Sequence, residues 1–116
     1  MLTDYGKQRI MLRIGSDVGS PSYMAIGTGS GAVNLQNTGL VTHFTRINPT
    51  STNWNVSKEV TYTGDYSTVT MSGASVREYG MFAESSGGKI WNREGFNAIA
   101  FDGTNELQLE ITYQVF

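Results

Sequence analysis

The last ten residues alternate without interruption. Leu107, Leu109, Ile111, Tyr113 and Val115 share one parity, and Gln108, Glu110, Thr112 and Gln114 share the other. Successive side chains of a strand point to opposite faces, so this run predicts a β-strand with one dry and one wet face, packed on a second layer. The strand runs almost to Phe116. That placement leads us to expect a C-terminus held inside the fold, as suits a small rigid building block.

The same period recurs upstream. Val56, Lys58, Val60 and Tyr62 share a parity; Gly64-Asp65 then suggests a hairpin or bulge, with Ser67, Val69 and Met71 set against Tyr66, Thr68 and Thr70 in a second run. Residues 76–83 read as a further strand. Ser85, Ser86, Gly87 and Gly88 form a turn that needs positive φ, and residues 89–96 lead back as a second hairpin. Asp102-Gly103 precedes the terminal strand. Near the start, Tyr23, Met24, Ala25 and Ile26 form a short apolar strand running into Gly27, Gly29 and Gly31. Residues 36–46 fit either a short helix or a bent strand. Residues 2–14 are the helical candidate, with Thr3 as cap, Asp4 in the first turn and Ile10, Met11 and Ile14 on one side. Gly6 weakens that helix by about 1 kcal/mol relative to alanine. Five to seven strands joined by short turns predict an all-β, antiparallel β-sandwich or barrel. The whole of 1–116 reads as one domain, with residues 1–15 as a helical N-terminal segment.

A chain of 116 residues buries roughly two-thirds of its unfolded surface, enough to fold alone with little margin. Charged residues are only 16%, against about 25% in ordinary globular domains, so the polar surface is largely Ser, Thr, Asn and Gln. A net charge of −2 supplies no basic face to displace phosphate counterions, which argues against nucleic acid as a partner. With no cysteine, neither a disulfide framework nor a thiolate metal site is available. No run of 18 apolar residues and no basic-then-apolar leader is found, so neither a membrane span nor a signal peptide is expected and synthesis in a cytoplasm is.

The segment Gly27-Thr28-Gly29-Ser30-Gly31-Ala32 fits G-x-G-x-x-A after an apolar run. A dinucleotide turn requires a following helix and an acidic residue about 20 positions on, and Arg46-Ile47-Asn48 occupies that place. A glycine-rich turn at a sheet edge is the better reading, and no cofactor is expected. His43 is the only histidine, which leaves no paired imidazole site for a metal; it reads as a partly buried residue near Phe44. Among the carboxylates, Glu78 and Glu94 are candidates to face each other across a hairpin, but Arg77 and Arg93 beside them indicate structural ion pairs in place of a catalytic pair. Trp54, Trp91, Tyr62, Tyr66 and Tyr79 have the chemistry of a sugar-stacking platform as well as that of a core or interface.

The order of these segments resembles a recurrent small module of tailed-bacteriophage virion proteins. The likeness runs from Tyr23 to Phe116 through Tyr23-Met24-Ala25-Ile26-Gly27-Thr28-Gly29, a Leu40 to Arg46 segment, Val76-Arg77-Glu78-Tyr79-Gly80-Met81-Phe82, Ser86-Gly87-Gly88-Lys89-Ile90-Trp91-Asn92-Arg93, Phe96 and the terminal strand. Thr42-His43 stand where similar sequences often carry an acidic residue before the arginine. The resemblance implies a non-enzymatic structural protein of tail, fibre or capsid surface, made in a bacterial host and incorporated in the virion. Its expected partners are itself, as a trimer or larger homo-oligomer, and other virion proteins. A module binding host glycans through Trp54 or Trp91 is the alternative. From the residues themselves, Glu78 is expected to neutralise Arg93 or Arg46 at a sheet edge, Gly80 to admit a neighbouring backbone or ring, and Phe82, Phe96 and Phe101 to complete a core.

Overall fold

A computed structural model describes residues 1–7, 21–55 and 59–114, with the side chains of residues 54, 55 and 114 outside that description. Seven strands are named among the described residues: β1 (Tyr23–Gly27), β2 (His43–Ile47), β3 (Ser51–Asn55), β4 (Glu59–Tyr66), β5 (Ser75–Phe82), β6 (Asn92–Ala100) and β7 (Leu107–Gln114), with a short helix α1 (Thr68–Met71) between β4 and β5. They form two antiparallel sheets, one ordered β2-β1-β5-β6 and the other β3-β4-β7. The architecture is the expected sandwich, and not a closed barrel.

Alternation sets which faces meet. Met24 and Ile26 of β1 lie opposite Met81 and Tyr79 of β5, and all four point to the smaller sheet. There they meet Val60 and Tyr62 of β4 and Leu109, Ile111 and Tyr113 of β7. The wet partners Gln108, Glu110 and Thr112 are exposed, as the sequence predicts. Each fully buried apolar side chain of this kind contributes roughly 1.5–3 kcal/mol. Two phenols tie the layers: Tyr66 Oη donates to the Met24 carbonyl at 2.6 Å, and Tyr113 Oη to Asn92 Oδ1 at 2.5 Å. Burial raises both phenols above their ordinary range.

The other face of the larger sheet is also covered. Tyr23, Ala25 and Gly27 share that side with Phe82, Gly80 and Glu78, and Ala25, Phe82 and Ile90 form a third buried cluster with Leu40 packed against it. Loops form this outer layer, and small residues let them approach. A Cβ on Gly80 would run into the Asn92 carbonyl and the Ile90 side chain, which is the close backbone approach expected there.

Several expectations are corrected. Gly64-Asp65 is no hairpin: β4 continues through both residues, and all eight of its residues pair with β7. The run after Tyr66 is not a strand, because Ser67 caps a helical turn by accepting from Thr70 N at 3.2 Å; that local bond outweighs the β-propensity of Thr-Val-Thr. Of residues 36–46, only those from His43 onward form regular structure. The N-terminal helix is described only over residues 4–7, where Thr3 Oγ1 accepts from Gly6 N at 3.0 Å, as a cap should. Residues 8–14 of that expected helix, and Val115 and Phe116 of the last strand, lie outside the described residues. Phe82 and Phe101 are buried, but Phe96 is 37% exposed, beside the register shift between β5 and β6.

Candidate functional site

Glu78 sits in β5 on the loop-covered face, and its carboxylate is completely buried. Four donors converge on it. Val41 N donates to Oε1 at 2.8 Å, Thr42 N and Gly29 N to Oε2 at 2.9 and 3.1 Å, and Arg93 Nε to Oε1 at 3.0 Å. Burial pushes the carboxyl up, but the N–H groups of Thr42 and Val41, the Arg93 guanidinium and Gly29 N–H outweigh it and hold Glu78 below the ordinary carboxylate value. The strand crowds the carboxylate too: a Cβ on Gly27 would lie 2.5 Å from Glu78 Oε2.

Arg93 extends the arrangement. It lies on β6 opposite Gly80, with its side chain 1% exposed. Its remaining nitrogens donate to the Ala32 carbonyl at 3.1 Å, and at 3.4 Å to Asn37 Oδ1 and the Gly31 carbonyl. The pair therefore ties the loop between β1 and β2 to the sheet at both ends. The backbone of Arg93 exchanges hydrogen bonds with Met1, whose amino group pairs with Glu94. Thr3 Oγ1 donates to the Ile90 carbonyl at 2.7 Å.

Of the two arginines offered for Glu78, the structure selects Arg93. Arg46 lies 3.8 Å over the Phe82 ring and donates to the carbonyls of Glu84 and Gly87 at 2.9 and 3.1 Å. It thereby holds the β5–β6 turn, where Gly87 and Gly88 take the expected positive φ of 65° and 74°. His43 is exposed, contrary to expectation; it meets the edge of Phe82 at 6.4 Å and accepts from Arg46 Nε at 3.1 Å. Burial lowers its basicity first and Arg46 next, with Glu78 opposing.

Glu78 and Glu94 do not face each other. The register sets Glu78 against Gly95 and Tyr79 against Glu94, so the two carboxylates point to opposite faces of the sheet. Trp91 is 2% exposed and cannot serve as a sugar platform; its Nε1 is buried without a partner. Tyr62 and Tyr66 are buried as well, and the side chain of Trp54 lies outside the description. Sequence reasoning missed an open groove of about 590 Å³ lined in part by Asp4, Tyr5, Gln36 and Lys89. Lys89 Nζ stands 5.7 Å from the Tyr5 ring centre, and Gln36 Nε2 donates to Asp4 Oδ2 at 3.1 Å. Only tertiary structure assembles it, because its residues are far apart in the chain.

Among the described residues no group of three His, Asp or Glu side chains is placed to hold a metal ion, and no helix is long and apolar enough to cross a membrane. Comparison with protein-family models, with curated proteins and with solved structures gives no match for this chain.

Proposed function

We propose that this chain is a non-enzymatic structural protein of a tailed-phage virion, assembled as a homo-oligomer on the capsid or tail and docked to other virion proteins. One observation carries the reading. The most buried carboxylate among the described residues, the kind of group a hydrolase would keep ready for proton transfer, is committed to four hydrogen bonds that fasten loops. Its environment favours the ionised form at neutral pH, the opposite of a catalytic acid. The resemblance over residues 23–116 and the weakly charged, Thr- and Gln-rich strand faces support the same use as a rigid docking block. Mass spectrometry of density-purified particles, with sedimentation of the isolated protein, tests the proposal. A fixed copy number per particle and a discrete oligomer are expected, and absence from particles would refute it.

The groove favours a second reading, a receptor-recognition module for host glycans, since it brings the Tyr5 ring together with a carboxylate, an amide and an ammonium group. Saturable glycan binding lost in both Tyr5→Ala and Lys89→Ala would support it. No binding by folded protein would remove it.

A further inference from the structure

In a regular strand His43 and Arg46 of β2 would point to opposite faces, since side chains alternate along the chain. They point the same way because the strand is bulged. The register with β1 sets Thr45 against Ile26 and His43 against Gly27, which leaves Phe44 as an extra residue. Both side chains therefore stand on the loop-covered face, beside Phe82. Arg46 Cζ lies 3.8 Å from the centre of the Phe82 ring, and the His43 and Phe82 rings meet edge-on at 6.4 Å between centres.

The guanidinium of Arg46 is one rigid plane, so its hydrogen bonds stand or fall together. Nε donates to His43 Nε2 at 3.1 Å, and Nη1 donates to the carbonyls of Glu84 and Gly87 at 2.9 and 3.1 Å. The first of these bonds fixes the state of the histidine. Arginine nitrogens only donate, so His43 Nε2 must offer a lone pair and the neutral ring must carry its proton on Nδ1. A protonated ring donates from both nitrogens and has nothing left to accept with. It also sets a second positive charge at hydrogen-bond distance from the guanidinium.

We propose that His43 is a pH latch on the β5–β6 turn: the neutral ring holds Arg46 against the Glu84 and Gly87 carbonyls, and the protonated ring expels Arg46 and frees the turn. The surrounding charges set the direction. Arg46 faces the ring from its own strand and Glu78 from β5, with Glu78 itself neutralised by Arg93 of β6; Glu84 faces Arg46 from the turn. Burial lowers the basicity of the ring first and Arg46 next, while Glu78 opposes, so the latched state prefers the neutral ring. The latch is complete above the pKa of the ring in the open state and is lost as pH falls through that of the latched ring. One linked proton raises the ratio of open to latched turn by at most about tenfold per pH unit. Residues 84–89 are exposed, so nothing buried has to come apart when the turn opens.

The test is NMR on the isotope-labelled full chain between about pH 8 and about pH 5, the window in which histidine ordinarily changes charge. At the upper end the His43 ring is expected as the Nδ1–H tautomer, with the Arg46 Nε–H resonance displaced from that of free arginine. As the ring gains its proton, that resonance should move to the free position and residues 84–88 should lose heteronuclear NOE, all with the midpoint of the ring itself. His43→Gln removes the titrating group at an exposed site and should abolish the pH response of the turn, with the amides of β1 and β5 reporting that the fold is kept. The latch is overturned by an Nε2–H tautomer, by a turn that stays ordered once the ring is charged, by a midpoint that differs from that of the ring, or by a pH response that survives in His43→Gln.

Discussion

Arg93 Nε lies 3.0 Å from Glu78 Oε1 with both side chains withdrawn from water, one on β6 and the other on β5. Removing one member of such a pair strands the other's charge in the interior, which costs about 3–5 kcal/mol, while replacing both with apolar residues of similar size costs far less. Glu78→Leu and Arg93→Met should therefore each be strongly destabilising in urea, and the double variant should be more stable than either single one. Additive losses would contradict the pairing.

The same carboxylate gives the stability a pH dependence. Its folded pKa is below the unfolded value, near 4.5, so the unfolded chain binds the proton more readily. The contribution is complete above the unfolded value and is lost as pH falls through the folded one. Unfolding free energy measured from pH 7 to pH 2 should drop below about pH 4.5, and the drop should be shallower in Glu78→Gln.

His43 shifts in the same sense. With its folded pKa lowered from 6.5, its contribution is present above that value and disappears as pH falls through the folded pKa. An NMR titration of the ring should give a midpoint below 6.5, and Arg46→Ala should move it upward. A midpoint at or above 6.5 would contradict the lowered value, and a midpoint unmoved in Arg46→Ala would contradict the part Arg46 plays in it.

Two glycines should separate in behaviour. Gly80→Ala forces a methyl group against the Asn92 carbonyl, a backbone atom that cannot swing aside, and should cost about 1–3 kcal/mol. Gly39 has open space around its missing Cβ and no positive φ, so Gly39→Ala should be neutral or stabilising by up to about 1 kcal/mol. Thermal melts of the two variants decide this.

Much of the fold is legible in the sequence because period-2 alternation reports burial directly. Leu107 through Tyr113 shows it, as does the glycine pair that closes the β5–β6 turn. Where a local bond competes, the pattern misleads: Ser67 caps a helical turn over residues that look like a strand. Gly64-Asp65 misleads in the other direction, since Gly64 is admitted inside β4 by close packing, its missing Cβ lying 2.7 Å from Met24 Sδ. The Glu78–Arg93 pair was visible as two candidates, Arg93 or Arg46, and only the register that sets Arg93 against Gly80 decides between them. The backbone donors of Gly29, Val41 and Thr42 carry no signal in residue identity, so their convergence on Glu78 belongs to the tertiary structure alone.

The central claim is that Glu78 serves as a fastener for the loop layer. Native-state hydrogen exchange of the Gly29, Val41 and Thr42 amides, compared between the parent and Glu78→Ala beside the strand amides of β1 and β5, tests it most directly. The account expects these three amides to exchange slowly in the parent and to lose far more protection than the strands in the variant. Equal losses throughout, or loop amides that exchange just as slowly without the carboxylate, would contradict it.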